Sequence, residues 1–484
     1  MEWKPGARQL NKLLVERLIA INLFLLTPSA VAEKQFLVDL IIKGDYIVTM
    51  NDDYQIIQNG AVAVNSGEIV AVGSALEVEG QYKAKEMLPG EDRLVMPGLV
   101  NGHSHAAMTL LRGVADDLPL NEWLNDYIFP AERMFVDPEF VRLGTELACW
   151  EMVRGGTTTF VDMYYHPETI ARVVDGCGMR ALVSATIIDQ KSPDANDADE
   201  SLRNAVEFVK KWQNLHPRIT PIFGPHANYT LSADQLVATR DAAKRLGSPI
   251  SIHMAESMFE VDLARDNYGT GSVSMFESID FFDGPTIAAH MVWPSEQEIK
   301  ILSRRKVGVI YNPTSNMKTA AGVAPIVTML EDGIAIGIGT DGAASNNDLD
   351  MWEEMRIGAL LQKVNLMDPK VMSAKTVLSM ATDMGADAVG LGGIIGSLEP
   401  GKRADLIQVL MNDVHHIPTF DVVSHLVYVT DEQDVDVVVV DGSILMRDGR
   451  PLRLDRERIH RAADLLAQNI QKELKEFLIE RKEK

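Results

Sequence analysis

Eight apolar runs of strand length, separated by stretches of helical spacing, most tightly limit what this chain can fold into. They are Leu94–Val100, Thr157–Asp162, Arg180–Ile187, Ile219–Gly224, Pro249–His253, Thr286–His290, Val307–Tyr311 and Ile334–Gly339. Helical patterns such as Pro138–Arg154 and Ala233–Leu246 lie between most of them. Eight β/α alternations over about 300 residues predict an α/β chain folded as a (β/α)8 TIM barrel. A doubly wound sheet is the alternative, but neither a G-x-G-x-x-G nor a P-loop follows the first strand to support it.

The two ends of the chain have a different texture. Asp39–Gly44, Ile47–Met50, Ala61–Val64 and Ile69–Gly73 read as short strands, with a turn at Asn65-Ser66-Gly67. Ala404–Val409 and Val437–Gly442 read the same way near the other end. Residues 33–95 and 398–452 are therefore expected to pair into one small β-sandwich domain, flanking a barrel of residues 96–397. Ile459, Ala463, Leu466, Ile470, Leu474 and Phe477 recur at helical spacing among charges, so 453–484 predicts an amphipathic helix packed on the body or on a second subunit of a homo-oligomer.

Lys4, Arg8, Lys12 and Arg17 precede the apolar stretch Leu18–Leu26, and Ala30-Val31-Ala32 follows. That is the layout of a secretory signal over residues 1–32, although Glu16 and Asn22 interrupt it. A cleaved signal would make the protein periplasmic or secreted, and its absence would leave it cytoplasmic. The stretch is too short for a stable membrane span. A formal net charge of −23 argues against nucleic acid as a partner and is easier to reconcile with a small neutral or cationic substrate. The two cysteines, Cys149 and Cys177, form no C-x-x-C, which excludes zinc ribbons and the H-x-E…P-C-x-x-C deaminases. A disulfide between them requires export.

Five of the eleven histidines fall at strand ends, where barrel enzymes place their chemistry. His103 and His105 follow the first run at spacing i, i+2, which points both imidazoles to one side. His226 follows the fourth run, His253 ends the fifth and His290 the sixth, while the eighth leads into Asp341. His166, His216, His415, His416, His425 and His460 read as structural or solvent-exposed. Three neutral imidazoles and a carboxylate from the strand-end set suit one divalent ion with room for a water, whose pKa then falls toward about 7. Zn2+ is favoured, with Fe2+ or Mn2+ also suited to such ligands. Glu256, three residues past His253, is close enough to shuttle a proton.

The chain resembles the amidohydrolase superfamily, in the branch of methylthioadenosine/S-adenosylhomocysteine deaminases and triazine hydrolases. The motifs carrying the likeness are Pro97–His105, Leu110–Leu120, Gly224-Pro225-His226, His253–Glu256, Asn312–Asn316, Thr340–Asn347 and Gly401–Leu406. The resemblance implies a mononuclear site with His103, His105, His253 and Asp341 as ligands, since His226 stands where binuclear relatives need a lysine. It implies Glu256 as proton shuttle, His290 against the attacking water or the developing oxyanion, and Asp341 as a further proton acceptor. It assigns Glu132 to ribose hydroxyls and His226 to the nucleoside.

The implied reaction is hydrolytic deamination of an adenine nucleoside, with ammonia released. Methylthioadenosine and adenosine are the expected substrates. S-adenosylhomocysteine is less well provided for, because Ser184–Ile187 lacks the arginine that some members place after the third strand. Arg203, in the next loop, is the residue that could replace it. Asn228 departs from the proline of the family motif beside His226. The alternative substrates are other heteroaromatic rings, such as amino- or chlorotriazines, guanine or pterins.

Overall fold

The computed structural model describes residues 35–482. The secretory-signal layout of 1–32 lies outside them. Eight parallel strands close into a barrel: β1 (Leu99–Ser104), β2 (Thr157–Tyr164), β3 (Arg180–Ile187), β4 (Ile219–Pro225), β5 (Ile250–Met254), β6 (Thr286–His290), β7 (Gly308–Tyr311) and β8 (Ile336–Ile338). Each pairs with its chain neighbour, and Ile338 of β8 pairs back onto Asn101 of β1.

Val100, Val161, Leu182, Ile222, Ile287 and Ile310 from six of the strands form one buried cluster. Ala386, Val389, Leu391 and Ile395, from the segment after β8, join that cluster. The barrel is thus a packed core, and the polar groups collect where the strands end.

The terminal segments build one nine-stranded mixed sheet beside the barrel. Five strands come from Phe36–Pro97 and four from Leu406–Pro451. The halves join through Arg93–Pro97, which runs antiparallel to Leu406–Leu410 with Pro97 opposite Leu406. Leu40, Ile42, Val62, Val64, Val95, Leu406, Val437 and Val439 share a core beneath this sheet. A buried ion pair ties sheet to barrel: Asp405 accepts from Arg180 Nε at 2.7 Å and Nη2 at 3.1 Å.

One expectation needs correction. The apolar run Leu94–Val100 is not a single strand, because Pro97-Gly98 divides it. Pro97 is the last residue paired in the mixed sheet, while the Leu99 amide donates to Gly156 O at 3.1 Å and begins the barrel. Proline brings no amide for further pairing. A Cβ on Gly98 would lie 2.1 Å from Thr158 Cγ2, so only glycine passes this crossing without something shifting. The barrel strand therefore runs Leu99–Ser104 and contains His103 rather than preceding it.

The C-terminal helix, Arg456–Lys482, lies on the helix Pro138–Arg154. It buries Ile459, Ile470 and Leu474, and Arg458 reaches Glu146 at 2.8 Å. No described helix is long and apolar enough to cross a membrane.

Candidate metal centre and active site

Strands distant in sequence bring four ligand-type atoms to one point. Asp341 Oδ1 is 3.4 Å from His103 Nε2 and 3.1 Å from His105 Nε2, and the His105 and His253 Nε2 atoms are 3.3 Å apart. A tetrahedral ion with bonds of about 2.1 Å requires ligand–ligand edges of about 3.4 Å. These three separations are close to that edge length. Both ring nitrogens of His103 are buried without a hydrogen-bond partner, although an unpaired buried polar atom costs about 1–3 kcal/mol. A divalent ion at this point would satisfy Nε2. The residues present fit such an ion.

Contacts behind the ligands aim them. The His253 Nδ1–H donates to His226 O at 2.8 Å, and His105 Nδ1 is held by the carbonyl of Met163 on β2. Each contact turns the Nε2 lone pair toward the centre. Asp341 Oδ2 accepts from Ser315 Oγ at 2.7 Å and Ser345 Oγ at 2.9 Å, which leaves Oδ1 facing the imidazoles. Asp341 has φ 63° and His290 φ 75°, left-handed conformations uncommon for non-glycine residues and concentrated at functional sites.

Burial and mutual repulsion keep most of the imidazoles neutral, the form a metal needs. Burial lowers His103 to about 4 and His226 to about 3, and it holds His253 well below the ordinary range. His105 runs the other way. Burial opposes its charge, but the Asp341 carboxylate raises it to about 9. Asp341 itself stays well below the usual carboxylate range, since His103 and His105 outweigh the burial that would raise it. A cation in this position would take over the work of the His105 proton.

Beside these ligand-type atoms lies a narrow cavity of about 50 Å³. His105, His226, His253, Glu256, His290, Asp341 and Glu132 all line it. The structure therefore brings every site residue expected from the sequence, except buried His103, to the cavity wall. Glu256 is buried, and burial raises its pKa. Its Oε1 is 4.0 Å from His290 Nε2, and His290 Nδ1–H donates to Asn316 Oδ1 at 2.9 Å. His226 Nδ1 lies 3.1 Å from Thr230 Oγ1.

Glu132 sits on a helical segment running from Leu120 to Phe135, with a π-helical stretch over Trp123–Ile128. Such stretches often mark functional sites. This segment presents Leu120, Trp123, Leu124, Ile128, Phe129 and Glu132 to the cavity. Glu132 is only 3% exposed, and Tyr165 OH donates to its Oε2 at 3.3 Å. Burial pushes its pKa up to about 7. Among the described residues, no lysine or arginine lines the cavity. Arg203 is exposed on the helix Ala198–Trp212, so it supplies no charge there. Asn228 is buried but turned to Ser272, 3.4 Å away, rather than to the cavity.

The sequence did not point to several groups that the structure places behind these side chains. Glu260 accepts from the amides of Ala255 and Glu256, both at 2.8 Å, and so fixes the backbone that carries Glu256. Asp162 Oδ1 accepts from the Ala106 amide at 2.6 Å, holding the chain just past His105. Ser315, Asn316 and Ser345 lie inside the family-like motifs, but nothing in their spacing discloses their tasks. Tyr165 carries no signal. Outside the barrel, His416 is a buried structural histidine, 3.2 Å from Asp434, and His415 pairs with the same carboxylate at 3.1 Å.

A family model described as "Amidohydrolase family" matches residues 94–445. A 5'-deoxyadenosine deaminase of Methanosarcina acetivorans is 42% identical over 433 residues, covering 89% of this chain and 98% of that protein. A 5-methylthioadenosine/S-adenosylhomocysteine deaminase of Desulforudis audaxviator is also 42% identical, over 89% of this chain and 99% of its own. Among solved structures, an adenosine deaminase from Xanthomonas campestris with bound zinc superposes with a TM-score of 0.89 at 36% identity, covering 90% of this chain and 100% of that one. Atrazine chlorohydrolase from Arthrobacter aurescens shares the fold, with a TM-score of 0.82 at 21% identity over 88% and 100% of the two chains.

Proposed function

The chain belongs to the amidohydrolase family, and from that premise we propose a metal-dependent hydrolytic deaminase of adenine nucleosides with a small, uncharged 5' group. The observation that carries this reading is the run of close contacts linking the ligand atoms of His103, Asp341, His105 and His253, successive pairs 3.1–3.4 Å apart, beside a cavity lined by Glu256 and Glu132. His103, His105, His253 and Asp341 would hold one divalent ion, best suited by Zn2+. Such an ion supplies nucleophilic water at neutral pH.

The remaining steps belong to the chain's own groups. Glu256, its carboxyl raised by burial, takes one proton from the attacking water and delivers it to the ring nitrogen, where it stays in the inosine-type product. His290, its Nδ1–H committed to Asn316, turns Nε2 toward the reacting centre and steadies the oxygen being added. Asp341 accepts the water's second proton through the carboxylate edge not tied up by the two serines, and that proton passes to the amine, which departs as ammonia. Glu132 accepts from the ribose hydroxyls, and His226 borders the nucleoside. Closure by Trp123, Leu124 and Phe129 keeps bulk water away from the ring.

The relatives' names support an adenine nucleoside, and the lining narrows the choice. Leu120, Trp123, Leu124, Ile128 and Phe129 favour an apolar 5' substituent such as the methyl of 5'-deoxyadenosine or a methylthio group. With no lysine or arginine among the described residues of the wall, the carboxylate of S-adenosylhomocysteine has no such partner and pays its desolvation uncompensated. An ammonia-release screen over nucleosides, bases and triazines tests the reading. Ammonia with an inosine-type product from 5'-deoxyadenosine or methylthioadenosine is expected, at higher kcat/KM than from S-adenosylhomocysteine. Release from triazines or guanine alone would reject the nucleoside assignment.

A further inference from the structure

We propose that Cys149 and Cys177, the only cysteines of the chain, are a built disulfide pair that closes in an oxidising compartment and staples together the helices on either side of β2. Cys149 lies in the helix Pro138–Arg154, and Cys177 ends the helix Pro167–Cys177. Their Sγ atoms are 2.9 Å apart, and both side chains are buried. A sulfur–sulfur bond is about 2.05 Å long, so closure requires less than about 1 Å of movement. Gly178, with φ 92°, ends the helix directly after Cys177, and its left-handed turn leaves Cys177 at a helix terminus rather than mid-helix.

The surroundings differentiate the two sulfurs. Burial raises the Cys177 thiol, but its contact with Cys149, the Met179 amide and the charges of Arg218 and Arg453 pull it down. Cys149 is pushed up by Cys177 and by burial, with Glu146 and Asp162 adding to it.

The co-reactant is a small or protein disulfide of the compartment, such as oxidised glutathione. One of the two cysteines, as its thiolate, attacks one sulfur of that disulfide, forms a mixed disulfide and releases one thiol. The other loses its proton to solvent and attacks the first cysteine's Sγ, forming the internal bond and releasing the second thiol. The protein loses two hydrogens and the external disulfide gains them. Exchange takes place while the chain folds, before burial closes over the pair. The basic, apolar and A-x-A pattern of residues 1–32 predicts delivery to such a compartment.

The bond would span β2, which supplies the Met163 carbonyl behind His105 and the Asp162 carboxylate behind Ala106. Its effect is thus expected on the durability of the site and not on the chemical step.

The test compares full-length protein refolded with oxidised glutathione and the same protein kept reduced, alkylating each after unfolding. The oxidised sample should lose both alkylatable thiols and two hydrogens of intact mass, and its digest should contain a linked Cys149–Cys177 peptide pair. Its temperature of half-inactivation should exceed that of the reduced sample by several degrees. Cys149→Ser/Cys177→Ser should keep basal turnover and show no such difference. Two thiols still alkylatable, two separate glutathione adducts or a link between chains would each overturn the proposal. The alkylation and peptide map use the unmodified sequence, so they decide the matter even if the double variant fails to fold.

Discussion

The two serines behind Asp341 offer a quantitative test of how the metal cradle is built. Ser315 and Ser345 donate to the same oxygen, Oδ2, at 2.7 and 2.9 Å, and lie 3.0 Å from each other. They hold the carboxylate with Oδ1 directed at His103 and His105. A hydrogen bond to a charged group is worth about 1.5–3 kcal/mol. The bonds exist with or without the ion, so only part of that energy enters the affinity. Without an ion, a released carboxylate can rotate onto the raised His105 and recover some of the loss, whereas in the loaded site it must remain where the ion requires. About 1.4 kcal/mol of net difference for each serine corresponds to tenfold weaker binding. Ser315→Ala and Ser345→Ala are each expected to weaken the ion about tenfold, and the pair together about 100-fold, in the range typical of such supporting contacts. Titration of apo-protein with Zn2+ against a chromogenic chelator reads this directly, with circular dichroism as the folding control. A folded double variant that binds within about twofold of the parent would show that the carboxylate needs no aiming, and the argument from orientation would fail.

Further outcomes follow from the same geometry. Glu256→Gln keeps the shape of the side chain but cannot cycle a proton, so kcat should fall about 10²–10⁴-fold with metal content unchanged; near-full turnover would remove Glu256 from the reaction. Glu132 carries a carboxyl raised from 4.5 to about 7 by burial. A raised carboxyl keeps its proton longer in the folded state than in the unfolded chain, so the stability it contributes is lost as pH rises through that window. Glu132→Gln should therefore gain stability on the order of 2–3 kcal/mol at pH 8 and almost none at pH 4, read as Tm at the two pH values, while losing kcat/KM for ribose-bearing substrates. Asn316→Ala removes the shorter of two polar contacts to His290 Nδ1, the other being Asn312 Nδ2 at 3.3 Å, and kcat should drop about tenfold with KM nearly constant; an unchanged kcat would mean that Asn316 does not orient His290.

The residues whose chemistry is written in their side chains are legible in the sequence itself. Imidazoles at the ends of apolar runs stand out because a strand interior has little use for them, so His103, His105, His253 and His290 declare themselves, as does Asp341 after Ile338. The groups that steer them are not legible, for a physical reason. Met163 and His226 act on His105 and His253 through backbone carbonyls, which every residue possesses. Glu132 is ambiguous on local pattern alone, because a carboxylate on an amphipathic helix ordinarily faces water. Only the placement of the Leu120–Phe135 segment at the barrel mouth buries it. The break at Pro97-Gly98 is hidden for the opposite reason, since both the mixed sheet and the barrel demand apolar residues and the run passes between them without a change of composition.

What the fold tolerates at this site argues for function independently of any motif. His103 is buried with no hydrogen-bond partner for either ring nitrogen, and His290 and Asp341 hold left-handed backbones. Glu354 is buried beneath the loops after β7 and β8, its carboxyl pushed up to about 8 by burial while it accepts from Asn346 Nδ2 at 2.8 Å and the Thr314 amide at 3.3 Å. Glu260 is likewise buried and raised to about 7 while it pins the amide of Glu256. Each feature costs on the order of 1–3 kcal/mol, and none improves the packing of a barrel whose core is already filled by Val100, Val161, Leu182 and Ile310. If stability alone had shaped this region, apolar side chains and right-handed turns would serve it better. The costs at His103 and Asp341 fall at one point, where the separations between ligand atoms suit a metal ion. Binding an ion there would offset them together, which makes the folded barrel and the loaded site a single thermodynamic unit.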